Sequence, residues 1–82
     1  MDAYFEPGTY VTGTKQVLRA IEEGRLERAV IAQDAEEHLR LKLQNACQKA
    51  DVLFDTVPTM KELGTACGIE VGAAVAGVLK NQ

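Results

Sequence analysis

Short runs that are apolar at every position, separated by amphipathic segments, constrain this chain more than any other feature of its sequence. Ala29–Gln33 reads Ala-Val-Ile-Ala-Gln, and the stretch near Ala73–Leu79 is equally apolar. A strand with one wet face alternates apolar and polar residues, whereas a continuous apolar run is covered on both faces. With further strands at Thr9–Thr12 and Asp51–Val57, the order becomes β-α-β-α-β-α-β. That order predicts an α/β fold: a three-layer α/β/α sandwich around a central four-stranded mixed sheet.

Local signals set the expected helix boundaries. Gly13-Thr14 opens a helix that runs to about Glu23 and stops at Gly24, with Val17, Leu18 and Ile21 on one face. Asp34 is the expected N-cap of a second helix, Ala35 to about Lys49, which Glu36 and Glu37 suit by charge. Its stripe is Leu39, Leu43, Ala46 and Ala50; Leu41 falls outside it. Pro58 ends the third strand, and Thr59-Met60-Lys61-Glu62 fits a capping box. The short helix behind it puts Met60, Leu63, Gly64 and Cys67 on one face and ends at Gly68.

Eighty-two residues, 46% hydrophobic and 26% charged, suit one small globular domain over 1–82. Such a chain buries only about 60–65% of its unfolded surface. Met1–Gly8 carries acids and a proline where the apolar core of a signal peptide would lie, and Val71–Leu79 is about half as long as a membrane span. The expected location is the cytoplasm. Cys47 and Cys67 form no C-x-x-C pair and read as reduced, buried thiols. His38 adds no metal-ligand spacing, so no metal or other cofactor is expected.

An enzyme is disfavoured. Neither a Gly-rich phosphate loop nor a nucleophile elbow is present, and the chain has no Ser. His38 and Cys47 lie too far apart along one helix for a nucleophile–base hydrogen bond. The acid pairs Glu22-Glu23 and Glu36-Glu37 read as solvated helix faces.

Two segments are more informative. At Gly13-Thr14-Lys15-Gln16, free N–H groups and the helix dipole favour an anion, and Lys15, Gln16 and Arg19 can reach past it. Lys and Arg donate to guanine O6 and N7, and Gln can donate and accept. On spacing alone the first reading is an ordinary helix start with solvated charges. The second segment, Gly64–Val71, has two glycines bracketing a helix end, then Ile69-Glu70-Val71 in a loop. Those apolar residues suit either the strand-edge core or a surface that covers unpaired bases. Net charge is −3, which argues against nucleic acid in bulk. The window Pro7–Ile21 nevertheless holds no acid, and all acids except Asp2 and Glu6 come at Glu22 or later.

Three blocks carry a resemblance over about residues 9–80: Gly13-Thr14-Lys15-Gln16-Val17-Leu18-Arg19, Val30-Ile31-Ala32-Gln33-Asp34-Ala35, and Lys61–Val71. On these the chain resembles the kink-turn-binding ribosomal proteins of the L-seven-Ae and L-thirty-e type, most of all the short bacterial members. The resemblance implies recognition of an RNA internal loop with tandem sheared G·A pairs and a sharp bend. Where the family carries G-x-N-E-x-x-K, its Asn falls on Lys15, its Glu on Gln16 and its basic residue on Arg19. The exchange trades an amide and an acid for a cation and an amide. Guanine O6 contact survives it, and an uncharged carbonyl replaces the carboxylate acceptor. The apolar–x–apolar triplet that packs on exposed bases falls on Ile69-Glu70-Val71, and Lys61 matches a basic position able to touch phosphate.

The resulting expectation is a non-catalytic, monomeric RNA-binding protein whose site is Gly13, Thr14, Lys15, Gln16, Arg19, Lys61, Ile69, Glu70 and Val71. Its RNA would be structural, either ribosomal RNA or an mRNA leader. The alternative is a protein-interaction adaptor of the same fold that uses the apolar loop, which the acidic net charge suits.

Overall fold

The computed structural model describes residues 9–69 and 71–80. Its elements follow the expected order: β1 (Tyr10–Thr12), α1 (Thr14–Glu22), β2 (Leu26–Ala32), α2 (Glu37–Lys49), β3 (Leu53–Val57), α3 (Met60–Ala66) and β4 (Val75–Leu79). The four strands form one mixed sheet in the order β1-β4-β2-β3. β4 runs antiparallel to both β1 and β2, and β2 runs parallel to β3.

Side chains alternate across β2, so its two faces feed two cores. Ala29 and Ile31, with Val75 of β4, pack on one side against Val17, Ala20 and Ile21 of α1 and Leu43 and Cys47 of α2. Val30 and Ala32, with Ala76, pack on the other side against Leu63 and Cys67 of α3. Two helices therefore cover one face and one helix the other, the expected three-layer α/β/α sandwich.

Each helix stops by the same backbone device. The N–H two residues past the cap returns to a carbonyl in the last turn: Arg25 to Ala20 O (2.9 Å), Val52 to Cys47 O (2.8 Å) and Ile69 to Gly64 O (3.0 Å). This is the Schellman motif, which needs one left-handed residue between. Gly24 and Gly68 fill that place for α1 and α3, but for α2 it is Asp51, at φ 61°. Asp51 is thus the terminator of a helix and not the start of β3.

Four further expectations are corrected. β3 is not covered on both faces: among the described residues it pairs with β2 alone, and Leu53 is 76% exposed. β2 begins at Leu26, earlier than its apolar run: Leu26 and Arg28 pair with β4 across a register shift at the exposed Glu27, and Arg28 pairs with Asp55 at 3.0 Å. Asp34 does not cap α2, whose N-cap is Glu36 without a side-chain bond. Its Oδ1 instead accepts from the Met60 N–H at 2.8 Å, at the start of α3. Ala50 is exposed rather than part of the α2 stripe. Leu41, 50% exposed, lines a groove between α1 and α2 with Leu18, Ile21 and Ala46. Among the described residues, no helix is long and apolar enough to cross a membrane.

Candidate nucleic-acid interface

Strand directions decide what meets at each end of the sheet. β1 and β2 finish, and β4 begins, at one rim: Thr12 pairs with Ala76, and Ile31 with Val75. Val57 at the end of β3 pairs with Ala32 at the same rim. The starts of α1 and α3 and the loop ahead of β4 are therefore gathered there. A bond from Gly13 N–H to Val75 O at 3.1 Å ties the first of these segments to the last. The sheet thus brings the Gly13 start of α1 and the loop that leads into β4, far apart in sequence, to one rim.

Gly13 shapes the α1 half. It holds φ 93° and ψ 149°, a region that disfavours a side chain, and as N-cap it has none to offer the helix. The first helical bond is Val17 N–H to Gly13 O at 3.0 Å. The N–H groups of Thr14, Lys15 and Gln16 precede that ladder, at the positive end of the dipole. Burial of Val17, Ala20 and Ile21 turns Lys15, Gln16 and Arg19 outward, and all three are exposed. The first turn holds no acid. Among the described residues the ion pairs made by Lys and Arg are Arg25–Glu23 and Arg28–Asp55, so Lys15, Arg19 and Lys61 stand unpaired.

The α3 half is built in the opposite way. Thr59 Oγ1 accepts from Glu62 N–H at 3.0 Å and Asp34 Oδ1 accepts from Met60 N–H, so two side chains close this helix start. The capping box is half made, because the Glu62 carboxylate gives no return bond among the described residues. Ile69 donates to Gly64 O, Ala73 donates to Met60 O at 3.0 Å, and Ala74 O accepts from Ala32 N–H at 2.9 Å. These bonds staple the loop to α3 at both ends and then to β2. Tyr10 donates from its hydroxyl to Cys67 O at 2.6 Å, fastening the end of α3 to β1.

Of the apolar triplet, Val71 is 71% exposed, whereas Ile69 is half-buried against the α3 core. Glu70 lies outside the described residues. Lys61 is exposed on the outer face of α3, beside an apolar cleft it lines with Val57, Pro58, Thr65 and Ala66. Cys47 and Cys67 are free and buried, and burial pushes both thiols up from their ordinary pKa. Among the described residues, no cluster of three or more His, Cys, Asp or Glu is arranged to hold a metal ion.

The sequence profile of the ribosomal protein L7Ae/L30e/S12e/Gadd45 family matches residues 3–82. The chain belongs to this family. An RNA-binding protein of Caldanaerobacter subterraneus subsp. tengcongensis is 44% identical over 70 residues, 85% of each chain. The RNA-binding protein YbxF of Geobacillus stearothermophilus is 40% identical over 75 residues, 92% of each chain. These relatives are short bacterial members of the family. Among solved structures, the Giardia lamblia 15.5kD RNA binding protein superposes with a TM-score of 0.83 at 28% identity, over 90% of this chain and 62% of that one. A protein of unknown function from Bacillus halodurans C gives a TM-score of 0.82 at 28% identity, over 88% of this chain and 72% of that one.

Sequence reasoning missed two participants at this rim. Asp34 serves a helix far along the chain, and no local pattern reveals a long-range cap. Gly64 lies directly beneath the Val71 carbonyl; its only trace in the sequence is the Gly64–Gly68 spacing, which signals close packing without naming the partner.

Proposed function

We propose that this chain is a non-catalytic RNA-binding protein, one domain over 1–82, that recognises a kink-turn with the rim described above. The observation that carries this reading is the meeting at one rim of an uncapped helix start bearing the unpaired Lys15 with a loop that exposes Val71. A kinked RNA offers the matching pair of features: crowded phosphates and base edges in a widened groove, beside bases the bend has unstacked. Lys15 and Gln16 read base edges, Arg19 and Lys61 hold phosphates, and the Gly13-Thr14 start presents backbone N–H groups to a phosphate oxygen. Val71, flanked by Ile69 and Glu70, covers unstacked bases. Relatives named as RNA-binding proteins support the reading at its coarser level.

An overall charge of −3 does not oppose it, because the field that matters lies within about 10 Å of the rim at 0.1 M salt. Binding favours the bent conformer over the extended one, so the protein stabilises a shape the RNA already visits. The target is a structural RNA, ribosomal or an mRNA leader, met by a cytoplasmic monomer. The test is a titration of kink-turn RNA against a straight duplex of equal length at two salt concentrations. Tighter, salt-dependent binding of the kinked RNA is expected. Equal affinity for both would remove kink recognition, and affinity indifferent to salt would favour the protein-interaction adaptor.

A further inference from the structure

Val71 is exposed, and the backbone on which it stands rests directly on α3. The point of contact is Gly64. A Cβ at Gly64 would overlap the Val71 carbonyl oxygen and crowd Gly72 Cα at 3.2 Å. The obstacles are backbone atoms, so no rotamer change relieves the clash. From the other side, a Cβ at Gly72 would press on Met60 Cβ at 3.2 Å and Met60 C at 3.3 Å. Loop and helix backbones are thus in direct contact where both partners lack a side chain.

Gly64 is buried in the interior of α3, where glycine is a poor choice for the helix itself. A helix gains from alanine at such a position; here alanine would help the helix and evict the loop. We infer that Gly64 is a positioning residue for RNA recognition: it lets the backbone at Val71 and Gly72 lie on α3 as a preformed arch that leaves the Val71 side chain exposed. The arch is closed by the Ile69–Gly64 and Ala73–Met60 hydrogen bonds on either side of that contact. A preformed arch removes the ordering cost that a free loop would incur on meeting RNA. The inference rests on the proposed RNA reading and adds what holds its apolar element in place.

The experiment compares Gly64→Ala with wild type in two readouts. Amide hydrogen exchange needs no RNA: Ile69 and Ala73 should exchange faster in the variant, while amides of α1 and β2 stay as protected as before. In titrations with kink-turn RNA, Gly64→Ala should weaken binding on the order of tenfold, with the salt slope unchanged because no phosphate contact is lost. Val71→Ala should weaken binding in wild type and do little more in the Gly64→Ala background, whereas Lys15→Ala should cost the same in both. Gly72→Ala, which presses Met60 less severely, should act in the same direction and serves if Gly64→Ala does not fold. Unchanged exchange at Ile69, or a Val71→Ala effect equal in both backgrounds, would overturn the inference alone. A wild type with no preference for kinked RNA would overturn the parent reading and this one together.

Discussion

The starts of α1 and α3 share a rim and treat their free N–H groups in opposite ways. At α1 a glycine stands where a capping side chain would be, and the first turn carries a lysine and a glutamine but no acid. At α3 a threonine from the adjoining residue and an aspartate from the turn after β2 both accept from the first turn. One start is left open to an anion; the other is closed by the protein's own oxygens and serves as an anchor. Being at a helix N-terminus therefore does not predict a phosphate site at this rim. What separates the two is whether folding has already used the donors.

The sharpest way to break that contrast is to remove the open half's reach. Lys15→Ala should cost on the order of 1–3 kcal/mol of binding to a kinked RNA if Lys15 meets a base edge. Thermal stability should hold, because the ammonium is exposed and in no ion pair. A gel-shift titration with unchanged affinity would take Lys15 out of the site.

Removing the closed half's cap should do the reverse. Asp34→Ala should lower stability by about 1 kcal/mol, as loss of a capping acceptor commonly does, and should loosen the α3 anchor. Lys15 contacts should be untouched, so Asp34→Ala and Lys15→Ala should add in RNA binding. A urea melt at the wild-type midpoint would show the Asp34–Met60 bond to be incidental. Arg19→Ala makes a smaller demand. If Arg19 meets phosphate, binding weakens across RNA sequences alike and the slope of log K against log salt becomes shallower by about one unit. A wild-type slope would return Arg19 to the solvated face of α1.

Period and punctuation made most of the fold legible. The apolar runs gave the strands, Gly24 and Gly68 gave two helix ends, and Thr59 gave the start of α3. What failed depends on neighbours that no local pattern names. Leu53 and Phe54 look buried in sequence, yet the strand order puts β3 on an edge where Leu53 faces water. Asp34 stands where a cap for α2 belongs, but its carboxylate turns across the sheet rim to α3. Asp51 looks like the first residue of a strand, but it takes the left-handed place that glycine fills in the other two helices. The same limit applies to the site. Lys15 and Val71 could be picked out as residues, but only the pairing of β1 with β4 brings the start of α1 and the loop ahead of β4 to one rim.

Two buried thiols allow the halves to be read separately, with the smallest perturbation. Cys47 packs in the core beneath α1 and α2, and Cys67 in the core beneath α3. Burial raises both pKa values above the ordinary 9.0, so the folded protein keeps both thiols protonated where free cysteine begins to ionise. The sign for stability follows: the contribution is fully present below the ordinary value and is lost as pH rises past it toward the raised folded values. At pH 8 both thiols should react slowly with a thiol reagent, and only through opening of their own core. Asp34→Ala should then speed labelling of Cys67 by roughly fivefold for each 1 kcal/mol of local opening, leaving Cys47 near its wild-type rate. Equal acceleration at both would mean that the two cores open together, and the rim would then be one cooperative unit rather than an open start beside an anchored one.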